Sequence, residues 1–304
     1  MTGEQTLQAM PEADLTLHRA RIAEADRRMH RSGWRRRLPQ RGHLILLPLS
    51  IIVVMPFVWM ILTSFMTDTE INTIPPPLWP HHLYTGGYST VLASSDFPYW
   101  FLNSLIVSGA AVIAQLVLCS LAGYAFARIQ FRGSTVMLIL VLATALIPIQ
   151  LTVIPTFVIF HDIGLINTLG ALILPQLSSA LGIYLMYAFF QSFPRELEEA
   201  GRIDGCGRLQ VFWKIVLPLA KPALAALGII TFIYAWNDLF WPLIAITSSH
   251  TFTVQVGLTT FQGEHITHWS AITAATTLTT VPVLLVFLIG QRRFIQAITG
   301  AVKG

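Results

Sequence analysis

Charge is scarce in this chain: Asp, Glu, Lys and Arg make up 11% of its 304 residues, apolar residues 54%, and the mean hydropathy is +0.64. Soluble domains carry roughly 25% charged residues, so a water-soluble globular fold is excluded. Cysteine is nearly absent. Cys119 lies in an apolar run and Cys206 in a polar stretch, which offers no disulfide or metal framework. No glycine is followed by lysine, so there is no GxxxxGK phosphate loop, and neither HExxH nor GxSxG occurs. ATP hydrolysis by a P-loop, zincin chemistry and a nucleophile elbow are excluded on that ground. Glu264, His265 and His268 offer two histidines three apart with no third ligand, so no metal site is expected.

What is present is long apolar sequence. Six runs, at about 43–65, 101–126, 135–160, 169–190, 222–246 and 271–290, each approach the roughly 20 residues that a membrane-crossing helix needs. An all-α, polytopic membrane protein with six transmembrane helices follows. The connections set its orientation. All 19 lysines and arginines fall before the first run, after the second, after the fourth or after the sixth, whereas 66–100, 161–168 and 247–270 contain none. Basic residues are retained on the cytoplasmic side, which predicts both termini cytoplasmic and three outward connections. The organisation expected is a basic N-terminal segment over 1–42, a transmembrane domain over 43–291 and a C-terminal tail over 292–304. The first apolar run starts too far in for a signal-peptide core and reads as an uncleaved span. Before it, Leu15, Ile22 and Met29 recur between arginines, describing either an amphipathic helix on anionic lipid or a basic tail that fixes orientation.

Prolines 48, 56, 148, 155, 175 and 282 fall inside the runs and invite kinks, at a moving gate or in irregular packing. Ser104 with Ser108, and Ala110 with Ala114, lie four apart and allow close helix approach. The outer stretch 74–88, rich in proline and glycine, reads as an irregular cap within reach of a partner outside the membrane.

The polar stretch 192–218 interrupts this pattern on the cytoplasmic side. Ser192 suits an N-cap, Pro194 a first turn, and Glu196, Glu198 and Glu199 a helix N-terminus, where the macrodipole favours negative charge. Gly205 and Gly207 then break the chain, a second helix runs from Arg208 to Val216, and Pro218 and Pro222 end it. A helix-turn-helix across the cytoplasmic face is predicted.

Further along, Asp238 is the one acidic residue inside an apolar run. In a helix starting at Pro222 it would sit about 24 Å along, in the outer part of a ~30 Å hydrocarbon core. Trp236, Asn237, Asp238 and Trp241 therefore either line the outer mouth of a pathway or form an interfacial aromatic belt with a hydrogen-bonded acid.

The order Glu199-Ala200-Gly201, three residues, Gly205, nine residues, Ile215, one residue, Leu217-Pro218 resembles the EAA loop of permease subunits of binding-protein-dependent ABC importers. Gly201 stands where that family usually has its second alanine. Together with Glu198 to Gly205, the runs Trp236 to Pro242 and Gly300 to Gly304 are similar to the carbohydrate-uptake branch, on the side of the smaller maltose permease. The resemblance covers about 43–304. It implies a coupling helix docked on a cytoplasmic ATPase subunit through Glu198, Glu199, Ala200, Gly201, Asp204 and Gly205, with a tail contact through Val302, Lys303 and Gly304. For Glu199 the alternative is stabilisation of its own helix start, and for Asp204 a local cap. The partners implied are a second homologous permease, two ATPase subunits that hold ATP and Mg, an extracytoplasmic solute-binding protein and lipid, in a bacterial or archaeal cell membrane. No nucleic acid is implied, and no cofactor is bound by this chain. The cargo implied is a sugar or oligosaccharide, or else another polyol-type or phosphorylated solute such as a glycerol phosphate. An ion-coupled secondary transporter would need ionisable groups at the midplane, and only Asp238 is available. A membrane enzyme would need a nucleophile and base together, and none converge.

Overall fold

The computed structural model describes residues 41–93, 96–129, 131–262 and 267–301, with side chains described between positions 46 and 292. Among these residues the architecture is helical, and a lone bridge between Gln262 and Thr267 is the sole β pairing. The chain divides into two units, Met1–Trp59 and Met60–Gly304. The first holds most of α1 (Arg41–Thr63), whose side chains from Leu46 to Val58 are exposed and, apart from Ser50, which donates to the Leu46 carbonyl, apolar, as hydrocarbon requires.

The second unit runs through α2 (Asp68–Ile71), α3 (Gly86–Ala93), α4 (Phe97–Arg128), α5 (Ser134–Thr144), α6 (Ile149–Asp162), α7 (Leu169–Ile173) and a 3-10 turn (Leu174–Gln176). It continues with α8 (Ala180–Gln191), α9 (Glu196–Ile203), α10 (Arg208–Leu219), α11 (Lys221–Trp236), α12 (Phe240–Ala245), α13 (Val254–Thr259) and α14 (Trp269–Ala301). Four stretches are long and apolar enough to cross a membrane: Leu46–Thr63, Phe97–Arg128, Leu169–Gln191 and Trp269–Arg292. Two bent pairs bring the number to six if each is one span.

Those pairs differ from the straight runs expected. The third run breaks into α5 and α6 at 94°, with Pro148 at the junction. Proline lacks the N–H that would continue α5 and pushes Ile147 out of helical space. The fifth run, expected to be continuous over 222–246, meets α10 at 78° around Pro218 and Pro222 and stops at Trp236. Asp238 therefore lies in a break between two helices. Asn237 donates from Nδ2 to the Ile233 carbonyl at 2.8 Å, and Asp238 Oδ2 lies 3.4 Å from Gln176 Nε2. Short polar side chains that compete for backbone groups end a helix in this way.

The long helix α4 packs against α8 and α11, α11 against α14, and α14 against α3. At Gly123 the α8 backbone comes so close that an added Cβ would lie 2.7 Å from Met186 Cβ. Ser104 and Ser108 are buried as their spacing suggests, while Ala110 and Ala114 are half-buried. Hydroxyls of α14 turn back onto their own helix, Thr273 to the Trp269 carbonyl and Thr280 to Thr276, and so present little polarity to apolar neighbours.

The connection after α1 is tied down at its base. Thr67 and Glu70 form a capping box at α2, Asp68 Oδ1 accepts from Ser270 N at 2.7 Å, and Glu70 Oε1 accepts from His81 N. The Thr67 backbone N–H, and then that of His81, hold the Glu70 carboxyl below the usual glutamate value. The irregular cap expected over 74–88 gives way to helix α3 from Gly86 onward.

One contact in this packing is testable. A Cβ at Gly257 would fall 2.0 Å from Trp100 Cε3, and the indole is held in place because Nε1 donates to the Ser249 carbonyl at 2.9 Å. Gly257→Ala should therefore cost about 1–3 kcal/mol of stability, read as a lower thermal midpoint in detergent. Gly109→Ala, whose Cβ meets nothing within 4 Å, should be neutral or stabilising by up to about 1 kcal/mol.

Candidate functional site

The α9–α10 segment is built by short-range rules. Glu196, Glu198 and Glu199 occupy the first turn of α9 and Arg202 the last, each sign where the macrodipole favours it. The helix ends in a Schellman arrangement: Cys206 N donates to Gly201 O at 2.9 Å and Gly205 N to Arg202 O at 3.0 Å. Gly205, at φ +83°, occupies the left-handed position between them, which explains a glycine there. Asp204 is the exposed C-cap residue. Gln210 then accepts from Gly207 N at 3.0 Å to start α10, which widens to a π-type turn over Phe212–Val216. That turn puts Phe212 and Val216 into the apolar cluster of Tyr124, Met186 and Phe190. Gly201 is buried against Ile215, whose Cδ1 lies 2.5 Å from where a Cβ would stand. The missing methyl thus goes with close packing of α9 on α10.

The two adjacent acids of α9 part company. Glu199 is exposed, whereas Glu198 is 5% exposed and points into the protein. Its Oε1 lies 2.9 Å from Arg128 Nε and its Oε2 accepts from the Tyr124 hydroxyl at 3.0 Å. The guanidinium also donates to the Phe193 carbonyl. Tyr124 and Arg128 sit one turn apart on α4, so both reach the same carboxylate. The ion pair joins the C-terminal end of α4, which favours a cation, to the N-terminal turn of α9, which favours an anion. Both side chains are less than a tenth exposed, and removing one partner of such a pair typically costs about 3–5 kcal/mol.

The outward side of the segment is different. Glu199 and Ala200 are exposed together with Ile203, Leu209 and Trp213, and Ile203 is 85% exposed. A cleft of about 370 Å³ opens beside Glu199, lined also by Arg128, Arg195, Glu198, Arg202 and Arg208. Apolar side chains rimmed by charge are the composition of a protein-docking surface.

A second set of polar groups runs through the bundle. Gln115 of α4 donates from Nε2 to the Gln176 carbonyl at 3.0 Å, and its Oε1 accepts from Ser179 and Thr231. Gln176 Nε2 in turn lies 3.4 Å from Asp238 Oδ2, and Gln255 Nε2 3.3 Å from Asn237 Oδ1. Asn237 is exposed and Asp238 half-buried. Trp236 and Trp241 are not: they are 1% and 3% exposed, and their indoles donate to the Thr279 and Ala171 carbonyls. Their rings pack on Phe101 and Phe232, and on Phe160.

Val302, Lys303, Gly304, Glu264 and His265 lie outside the described residues. Sequence reasoning missed Tyr124 and Arg128 as partners of Glu198, although their spacing of four on one helix was a usable signal. It also missed Gln115 and Gln176, which no motif marks.

The family described as binding-protein-dependent transport system inner membrane component matches residues 115–300. The arabinooligosaccharides transport permease AraQ of Halalkalibacterium halodurans is 33% identical over 260 residues, 84% of this chain and 93% of its own. The trehalose/maltose transport permease MalG of Thermococcus litoralis is 32% identical over 262 residues, 84% of this chain and 94% of its own. In fold, a chain of a bacterial ABC transporter involved in import of the acidic polysaccharide alginate superposes with a TM-score of 0.74 at 22% identity, over 84% of this chain and 99% of that one. The family match takes in the α9–α10 segment and the break at Asp238, and the chain belongs to the inner-membrane components of binding-protein-dependent transport systems.

Proposed function

We propose that this chain is the permease subunit of an ABC importer for a neutral sugar or oligosaccharide, forming half of the pathway beside a second, homologous permease. The observation that carries the reading is the outward side of α9. Glu199, Ala200, Asp204 and Gly205 are exposed next to apolar Ile203 and Leu209, on a helix pinned from behind by Glu198 and Gly201. Such a surface fits a cytoplasmic ATPase subunit, two copies of which hold ATP and Mg. The tail residues Val302, Lys303 and Gly304 add to that contact. Both termini and the α9–α10 segment lie on the cytoplasmic side, where the basic residues concentrate. Closure of the ATPase pair on ATP opens the pathway outward to the solute-binding protein, and hydrolysis returns it inward.

Within the pathway Asn237 and Asp238 meet the solute, supported by Gln176 and Gln255, while Trp236 and Trp241 hold the break in place. The relatives named for arabinooligosaccharides and for trehalose and maltose support a sugar cargo. The carboxylate of Asp238 accepts hydroxyl hydrogen bonds and repels anions, which favours a neutral solute over a glycerol phosphate.

The decisive experiment reconstitutes this chain with its second permease, ATPase and solute-binding protein in liposomes. Uptake of arabinooligosaccharides, maltose, trehalose and glycerol 3-phosphate is then measured with and without internal ATP. ATP-dependent uptake of a sugar is expected. Uptake of glycerol 3-phosphate alone would replace the substrate class, and transport by this chain alone on an ion gradient would overturn the ABC reading. Glu199→Lys should abolish retention of the ATPase subunits on the purified permease pair; intact assembly with normal stimulated hydrolysis would remove Glu199 from the interface. Asp238→Asn should raise the half-saturating sugar concentration about tenfold, the loss of one charge-assisted hydrogen bond worth ~1.4 kcal/mol, and should leave ATPase retention unchanged.

A further inference from the structure

Backbone packing of α9 is to α10, and what ties α9 to α4 is the Glu198 carboxylate held by Tyr124 and Arg128. From that joint α4 runs as one helix of 32 residues without an internal proline. Its opposite end is clamped as well. Trp100 Nε1 donates to the Ser249 carbonyl, Asn103 Nδ2 to the His250 and Phe252 carbonyls at 2.8 and 3.0 Å, and Ser104 Oγ accepts from Val254 N at 2.9 Å. Four of the backbone groups between Ser249 and Val254 are thus held by three side chains of α4. The two clamps lie about 40 Å apart along the helix at ~1.5 Å per residue, roughly the full depth of a bilayer.

We propose that α4 is a through-membrane rod that carries displacement of the docking helix α9 to the outer segment 249–254, with Tyr124, Arg128 and Glu198 as its inner joint. Glu198 is then a positioning residue that faces its own chain, and contact with the ATPase belongs to Glu199. The inference rests on the proposed ATP coupling. A helix without a break moves its two ends together, and each end here is fastened by hydrogen bonds or an ion pair rather than by apolar contact alone. Release at either clamp leaves the other end in place and interrupts transmission.

The test uses the full complex of both permeases and the ATPase pair, with Cys206→Ser removing the half-exposed native thiol and Ser248→Cys as a reporter beside the outer clamp. The rate at which a membrane-impermeant maleimide labels the reporter is compared with and without ATP and vanadate. The nucleotide-dependent change should fall by about 5-fold or more in Glu198→Gln, the low end of ordinary coupling between sites, while ATPase subunits stay bound. Asn103→Ala, at the other clamp, should give the same loss. The exchanged pair Glu198→Arg with Arg128→Glu should recover part of the response, and loss of the response with the ATPase still bound separates transmission from a merely structural role. An unchanged response in Glu198→Gln overturns the rod, and so does release of the ATPase with the second permease retained, which would make Glu198 a docking residue. If Glu198→Gln loses both partners through misfolding, Tyr124→Phe, which removes one hydrogen bond and keeps the ion pair, decides by whether the response drops. Failure of the ATP-coupling reading is seen separately, as absence of any nucleotide response in the complex carrying the reporter alone.

Discussion

A helix that breaks inside hydrocarbon leaves amides and carbonyls that lipid cannot satisfy, and the internal polar groups of this protein are arranged around that constraint. Asn237 takes the Ile233 carbonyl that closes α11, and Asp238 in the break beyond it lies within reach of Gln176 Nε2. Ser179 caps α8 through Gly182 N, and Gln115 reaches across from α4 to the carbonyl of Gln176 in the turn before it. Trp241 covers the Ala171 carbonyl in α7, and Asn167 accepts from the backbone of Thr247 and Ser248 beyond α12. The breaks in the fourth and fifth runs are thus neighbours that share partners. A polar patch is thereby assembled for backbone reasons.

The same constraint operates at the C-terminal end of α4 with charges in place of amides. Arg128 terminates α4 and Glu198 opens α9, so two helix ends of opposite dipole face each other across an ion pair. Both carboxylate oxygens have a neighbour on α4: Arg128 Nε lies 2.9 Å from Oε1 and the Tyr124 hydroxyl donates to Oε2, while the guanidinium donates to the Phe193 carbonyl. An apolar substitute of equal volume would hold α9 nearby but without a defined orientation. Orientation matters because the neighbouring residue, Glu199, faces outward.

Much of this was legible before any coordinates. Apolar run lengths place the helices, and Pro148, Pro218 and Pro222 mark two sharp bends through their missing N–H groups. Gly205 was readable as a helix stop because a Schellman turn needs a left-handed residue at that position. The break at 237–239 was not readable. No proline precedes it, and an Asn-Asp pair within an apolar run reads equally as two polar residues on a continuous helix. What ends the helix is side-chain competition for its backbone groups, together with partners 62 residues away on the fourth run. The roles of Trp236 and Trp241 were hidden for a related reason. An indole is apolar and carries one donor, so a ring that packs and a ring that receives a sugar look alike until the acceptor of the N–H is known.

The pair Glu198 and Glu199 shows what periodicity adds to a motif. Consecutive helical residues are separated by about 100° around the axis, so two adjacent acids point in different directions, here Glu198 inward and Glu199 outward. Gly201 lies three residues after Glu198 and is buried against Ile215, which identifies the inner face of α9 without reference to the carboxylates. Residues 198 and 201 then belong inside, while 199, 200 and 203 belong outside, as their exposures have it. A docking surface whose reverse side is locked to a membrane helix can pass force to that helix; one resting on apolar packing alone would let part of the motion dissipate as sliding. The acid inside therefore fixes the orientation of this short helix, and the acid outside is the one left exposed.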